Sequence, residues 1–369
     1  MAISSRIDRW LIRLFLRIPM EKKILITGGA GFIGSHVAVM LHRAGYIPVI
    51  VDNFSNSRAF MLEGIRKICQ REFPFYQGDC GDGVFMRKIF SEHSDIAGVI
   101  HFAAYKAVYE SNQFPLKYYR NNIGSLLTLL EVMVENKVAK LVFSSSCTVY
   151  GSPRVVPVTE DAPFQETPST YGKTKQLCEQ IVADVVSKRT GIQSVLLRYF
   201  NPIGAHPSGL IGELPIGLPN NLVPFMTQTA YGWREQLTVF GGDYETPDGT
   251  CVRDFIHVMD LARAHVKAFE YMESHSQCAL EYVNIGTGKG YSVLEVIQKF
   301  ERVSGKRLNY VIGARRNGDV PAVYADASKA RRLLGWQAEL AIEDALRDAW
   351  NWQIGLSENS QWPVEGRLI

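Results

Sequence analysis

The sequence predicts an α/β protein: a doubly wound parallel sheet followed by a smaller C-terminal α/β domain. Three observations point there. From Lys22 onward, short apolar runs alternate with helical patterns, as in parallel strands joined by crossover helices. The runs are continuously apolar rather than alternating, which suits strands buried on both faces. After Asn201-Pro202 the texture changes to HPSGLIGELPIGLPNN, rich in Gly and Pro, with mixed short elements beyond it.

Taken in order, KILIT (23–27) reads as the first strand, and a helix follows over Phe32–Arg43. YIPVIVD (46–52), FPFYQGD (73–79), AGVIHFA (97–103), KLVFSSS (140–146) and QSVLLRYF (193–200) read as the later strands. Helical stretches separate them, the longest over Leu116–Asn136. The expected division is a sheet domain over 20–202 and a second domain over 203–369. The irregular connection after residue 202 is expected to be a binding segment.

Composition narrows the function classes. The chain has 369 residues, 46% hydrophobic and 21% charged, enough for a large core. Its net charge of +3 comes from scattered basic residues, which gives no nucleic-acid footprint. The six cysteines form no Cys-x-x-Cys pair, so neither a metal site nor a disulfide framework is expected, and a reducing cytoplasm is. Residues 1–19 stand apart, with Arg6, Arg9, Arg13 and Arg17 on one helical face and Ile7, Leu11, Leu14, Phe15 and Ile18 on another. They are too short and too charged to span a bilayer. They read either as a leader or upstream start before Met20, or as a basic helix lying on a membrane surface.

The first strand runs directly into TGGAGFIG (27–34), which opens the first helix. Gly28, Gly31 and Gly34 supply the tight turn, the approach to a pyrophosphate and the close helix–strand contact, and the helix N-terminus meets the phosphates. This is the Rossmann dinucleotide pattern in its required context. Asp52 ends the second strand, 18 residues beyond Gly34, where a carboxylate binds both adenosine ribose hydroxyls and repels a 2′-phosphate. NAD is therefore favoured over NADP, although Arg58 nearby keeps NADP open.

Ser144, Ser145 and Ser146 end the fifth strand, and Tyr171 and Lys175 open the next helix one turn apart. Carboxyl ends of strands are where an open α/β sheet places ligands. A free tyrosine, with a pKa of about 10, is a poor base at neutral pH. An ammonium about 4 Å away contributes about 4 kcal/mol at an effective dielectric near 20, which lowers that pKa by about three units, to near 7. A positively charged nicotinamide pushes the same way. Ser146 is placed to share the substrate proton.

With these residues in place the chain resembles the extended short-chain dehydrogenase/reductase superfamily and, within it, the UDP-glucose 4-epimerase (UDP-galactose 4-epimerase) family. The stretches that carry the resemblance include TGGAGFIGSH, VDNFSNS, HFAAYKAVYES, FSSSCTVYG, TYGKTK, LRYFNPIGAHPSG, PNNLVPF and RRNGDVPAVYADASKA. They run from about Met20 to Trp352.

The resemblance implies a tightly held NAD+ that is reduced and reoxidised in each turnover, with Tyr171 as base for the sugar 4-hydroxyl. A transient 4-keto sugar turns over and is reduced on its other face, inverting carbon 4. It places cofactor contacts at Gly28, Gly31, Phe32, Ile33, Gly34, Asp52, Asn53, Asn56, Ser57, Asp79, Cys80, Phe102, Ala103, Ala104, Lys106, Asn121, Ser144, Tyr171, Lys175 and Tyr199. It places substrate contacts at Lys106, Ser146, Tyr171, Asn201, Asn221, Leu222, Thr238, Phe240, Arg253, Phe255, Arg316, Asp319 and Val323. Two arginines suit a diphosphate and an aspartate suits a ribose diol. A homodimer joined through Leu116–Asn136 and Tyr171–Lys188 is also implied.

Two departures bear on specificity. Phe255 stands where many family members carry a tyrosine, so one hydroxyl contact is lost. Val323 occupies the position that gates sugar size, and its small side chain leads us to expect UDP-GlcNAc and UDP-GalNAc as substrates beside UDP-glucose and UDP-galactose. A nucleotide-sugar 4,6-dehydratase is the nearest alternative, but it needs a carboxylate pair where Cys147 and Thr148 stand. A non-catalytic NAD-binding regulator is a remoter one, and such proteins commonly lose the Tyr, Lys or Ser present here.

Overall fold

The structure is a computed structural model that describes residues 21–188, 190–316 and 318–358. The readings of residues 1–19 fall outside them. Six strands come from the first 199 residues: β1 (Lys23–Thr27), β2 (Ile47–Asp52), β3 (Phe75–Gln77), β4 (Ile96–His101), β5 (Lys140–Ser146) and β6 (Gln193–Tyr199). A seventh, Leu280–Ile285, pairs with β6, and the sheet order is β3-β2-β1-β4-β5-β6 followed by that strand. Every neighbouring pair is parallel.

The continuously apolar strands do bury both faces. Along β1, Ile24 and Ile26 enter one cluster while Leu25 enters the cluster on the other side. In β5, Val142 joins the first cluster and Leu141 and Phe143 the second. Helices Phe32–Arg43 and Val258–Ser274 cover the first face. Gly83–Glu92, Gly124–Glu135 and Thr170–Ser187 cover the second.

Two expectations from sequence are refined. The helical stretch expected over Leu116–Asn136 is broken into Pro115–Tyr118, a π-helical turn Tyr119–Ile123, and Gly124–Glu135. Asn122 in that turn donates to the Tyr105 carbonyl and to Thr174 Oγ1, contacts that hold the widened turn. The segment after residue 202 is also not one spatial unit. It returns to the sheet through Val258–Ser274 and the seventh strand, which pairs with the edge that β6 would otherwise expose. The smaller lobe forms around a separate cluster that includes Ile203, Val223, Val239, Phe255, Phe300 and Trp350. Between the lobes, β1 turns one way to β2 while β4 lies on its other side, so a crevice opens at the carboxyl ends of these strands.

Candidate active site

The glycine turn leaves no room for side chains. Gly28 has φ +72°, and a Cβ there would stand 2.9 Å from the Ala103 backbone nitrogen. A Cβ at Gly34 would stand 2.2 Å from the Gly28 carbonyl oxygen, backbone against backbone. Asp52, at the end of β2, accepts from the Ala30 amide (3.0 Å), the Phe54 amide (2.9 Å) and Ser57 Oγ (2.7 Å). Two carboxylate oxygens offer about four acceptor sites, so capacity is left for a ribose hydroxyl. This tight cradle and its carboxylate fit a dinucleotide without a 2′-phosphate.

At the other end of the crevice, helix Thr170–Ser187 is started by its cap, Ser169, whose Oγ accepts the Gly172 amide at 3.1 Å. Ser111 Oγ accepts the Tyr171 amide at 3.1 Å, so the tyrosine backbone is held from a second element. Lys175 Nζ donates to the Ser144 carbonyl at 2.6 Å and lies over the Phe143 ring at 4.8 Å. The three serines of β5 have three tasks. Ser144 Oγ bonds Tyr199 OH at 2.9 Å, Ser145 Oγ donates to Glu179 at 2.5 Å, and Ser146 Oγ accepts the Thr148 amide at 3.2 Å beside the Tyr171 phenol. Alternation along the strand puts Ser145 on the face opposite its neighbours.

The surroundings that the chain itself supplies to Tyr171 disfavour its ionised form. Burial raises the phenol well above its ordinary pKa and Tyr199 adds to this, with the Ser146 hydroxyl acting in the opposite direction. The lysine ammonium is bonded to backbone instead, and burial depresses its own pKa to about 8. Positive charge entering the pocket would favour the ionised phenol.

Across the crevice, Arg316 forms a two-pronged pair with Asp319 at 3.2 and 2.8 Å, and Arg253 approaches the same carboxylate at 3.7 Å. Arg253 also donates to the Val320 carbonyl at 2.7 Å. The glycine cradle, Tyr171, Lys175, both arginines and Val323 line one cavity of about 950 Å³. Among the described residues no group of three or more His, Cys, Asp or Glu is placed to hold a metal ion, and no helix is long and apolar enough to cross a membrane.

The family described as GDP-mannose 4,6 dehydratase matches residues 25–349. The UDP-glucose 4-epimerase of Dictyostelium discoideum is 51% identical, over 91% of this chain and 96% of its own. That of Bacillus subtilis (strain 168) is 50% identical, over 89% and 96%. The crystal structure of UDP-glucose 4-epimerase from Bifidobacterium longum, in complex with NAD+ and UDP, superposes with a TM-score of 0.86 at 47% identity and covers 90% of this chain and 98% of that one. The chain belongs to the UDP-glucose 4-epimerase family. Cys147 and Thr148, where the dehydratase alternative is expected to need a carboxylate pair, both line the cavity.

The epimerase resemblance named many residues, and the fold gathers most of them. All line the cavity except Ser144, Ser146, Leu222, Thr238, Phe240 and Phe255. Ser144 and Ser146 sit directly behind the lining, bonded to Tyr199 and beside Tyr171. Leu222 opens helix Leu222–Tyr231 and packs on the small-lobe core, and Phe255 is buried inside that core. Phe255 therefore packs in that core rather than on the cavity wall. Thr238 and Phe240 lie on strand Leu237–Phe240, where the Arg316 guanidinium stands 5.4 Å from the Phe240 ring. Sequence reasoning missed Glu213, Glu179 and Asp254. Glu213 sits in a stretch read only as loop. Glu179 is four residues beyond Lys175, a spacing that could have drawn attention to the same helix face.

Proposed function

We infer that the chain inverts carbon 4 of UDP-glucose and UDP-galactose, with NAD held in the glycine cradle. The observation that carries this reading is one cavity that joins the cradle, Tyr171 and Lys175, and the Arg253–Arg316–Asp319 cluster, with Ser146 behind its wall beside Tyr171. Bound NAD would supply the reversible oxidation of carbon 4, and its oxidised nicotinamide would add positive charge to that of Lys175 near Tyr171. Tyr171 takes the proton of the sugar 4-hydroxyl and later returns it to the same oxygen. Ser146, beside the phenol, orients that oxygen by a hydrogen bond. Lys175, fixed on the Ser144 carbonyl, holds a positive charge within the pocket. Arg253 and Arg316 anchor the diphosphate while the sugar stays free to present either face, as a site that must treat two epimers alike requires.

A wider substrate range belongs to this reading. Val323 lines the cavity with a small side chain, which leaves volume for an N-acetyl group on carbon 2. A homodimer through Leu116–Asn136 and Tyr171–Lys188 is supported by exposed Leu116, Leu127 and Val134 along the first segment. Six unpaired cysteines agree with the reducing cytoplasm. The test is to add each of the four UDP-sugars to purified protein, following its 4-epimer and the near-ultraviolet absorbance of reduced cofactor. Tyr171→Phe is the control. No epimer from any of them, with cofactor bound, would sink the reading.

A further inference from the structure

Asp254 is a carboxylate buried behind the cavity wall, at a point where three lining segments meet. Its neighbour Arg253 ends strand Val252–Arg253, which pairs in parallel with strand Ala322–Val323 so that Arg253 stands opposite Val323. Both residues line the cavity, and alternation along the strand turns Asp254 the other way, into the protein. The Asp254 carbonyl accepts the amide of Asn201, a third lining residue, at 2.9 Å.

The side chain binds through both oxygens. Oδ1 accepts the Thr287 amide at 2.9 Å and the Thr287 hydroxyl at 2.6 Å. Oδ2 accepts the Gly288 amide at 3.0 Å and, two residues beyond Val323, the Ala325 amide at 3.2 Å. Gly286 leaves room for this, since a Cβ there would overlap Oδ2. Burial raises the pKa of the group, and these four neutral donors oppose the rise. Among side chains of this size, only a carboxylate offers two oxygens that each accept two bonds. An asparagine would turn an NH2 toward one pair of donors.

We propose that Asp254 is a positioning residue for the diphosphate: by clamping the 287–288 turn and the end of strand Ala322–Val323, it fixes where Arg253 enters the cavity. The proposal rests on the reading of Arg253 and Arg316 as the diphosphate anchor. The clamp acts twice on Arg253. It holds the strand that carries the residue, and through Ala325 it holds the segment whose Val320 carbonyl accepts from the guanidinium at 2.7 Å. Uridine, which has no phosphate, makes no use of that anchor, so the effect is confined to phosphorylated ligands.

The test uses the NAD-loaded protein and measures binding of UDP and of uridine by calorimetry, for the natural chain, Asp254→Asn, Thr287→Val and Thr287→Ser. Binding is read rather than turnover, so a variant that loses activity still reports. Asp254→Asn should lower the affinity ratio of UDP to uridine by about tenfold or more, the scale of a displaced binding group, with bound NAD at the natural level. Thr287→Val, which removes the hydroxyl donor, should lower the ratio by about threefold or more, and Thr287→Ser, which keeps it, should stay within about twofold. Should Asp254→Asn fail to fold, the two threonine variants decide on the same ratio. An unchanged ratio in Asp254→Asn overturns the proposal, whether both affinities hold or both fall. An equal fall in the two threonine variants overturns it as well. Failure of the diphosphate reading would look different: the natural protein would bind UDP no more tightly than uridine.

Discussion

Lys175 Nζ and the Ser144 carbonyl oxygen meet at 2.6 Å, tying the first turns of helix Thr170–Ser187 to the end of β5. Burial depresses the Lys175 pKa to about 8, partly offset by Cys178 and Glu179, so the ammonium is present below that pH and is lost above it. Tyr171 depends on positive charge in its pocket to give up a proton. The epimerisation rate constant should therefore fall as pH rises through about 8. Lys175→Met should lower kcat by about a hundredfold or more and abolish that alkaline limb. A limb retained in the variant would show that another group titrates there.

Helix Thr170–Ser187 is also bound to the sheet by a buried ion pair. Arg198 bonds Glu179 at 2.7 and 3.0 Å, with Tyr150 and Tyr282 rings 5.0 and 4.6 Å from its guanidinium. Glu179→Gln leaves that guanidinium buried without its counter-charge. The loss of stability should be about 3 kcal/mol or more in urea denaturation. The double replacement Glu179→Leu with Arg198→Met should cost less than the sum of the two singles. Additive losses would show that the pair does not act as a unit.

Gly34→Ala tests the cradle. The added methyl would stand 2.2 Å from the Gly28 carbonyl oxygen and 2.8 Å from Gly29 Cα, and neither backbone atom can swing aside. The helix start must move away from the turn. The variant should purify without NAD, as judged by cofactor released on denaturation. Full retention would mean that the turn yields more readily than its packing indicates.

Val323 is flanked by two fixed points. Arg253 holds the Val320 carbonyl at 2.7 Å, and Asp254 accepts the Ala325 amide at 3.2 Å. Asp254 also accepts the Thr287 amide and hydroxyl and the Gly288 amide, so the strand end cannot retreat easily. A larger side chain at 323 should project into the cleft. Val323→Tyr should keep activity on UDP-glucose and lose about tenfold or more on UDP-GlcNAc, compared by kcat/KM. Unchanged N-acetyl activity would remove the gate.

Three fully buried histidines set the acid limit of stability. Burial lowers His36 and His101 to about 3 and His265 to about 4, against an ordinary 6.5. All three stay neutral in the folded chain, whereas the unfolded chain protonates them below pH 6.5. Their share of stability is complete above that pH and declines as pH falls toward their folded values. The urea midpoint should drop between about pH 6.5 and 5, with uptake of up to about three protons on unfolding. A midpoint that is flat across this range would contradict the assignment.

Much of the site could be read locally. The glycine turn, Asp52 at a strand end and the Tyr171–Lys175 spacing depend on contacts within a few residues, so the chain order displays them. Phe255 shows the limit. The resemblance implied a substrate contact there, whereas the fold buries its ring in the small-lobe core, off the cavity wall. Likewise, the helical spacing put Lys175 near Tyr171, but only the fold shows that its ammonium bonds the Ser144 carbonyl.

By itself the sequence determined the parallel sheet, the dinucleotide turn and the chemical identity of the reacting groups. Those follow from periodicity and short-range geometry. Only the tertiary structure decided how the sheet closes with the strand Leu280–Ile285, which carboxylate meets Lys106, and how Val323 is clamped. Each of these depends on pairing residues far apart in the chain, where burial and charge are set by what the fold brings alongside.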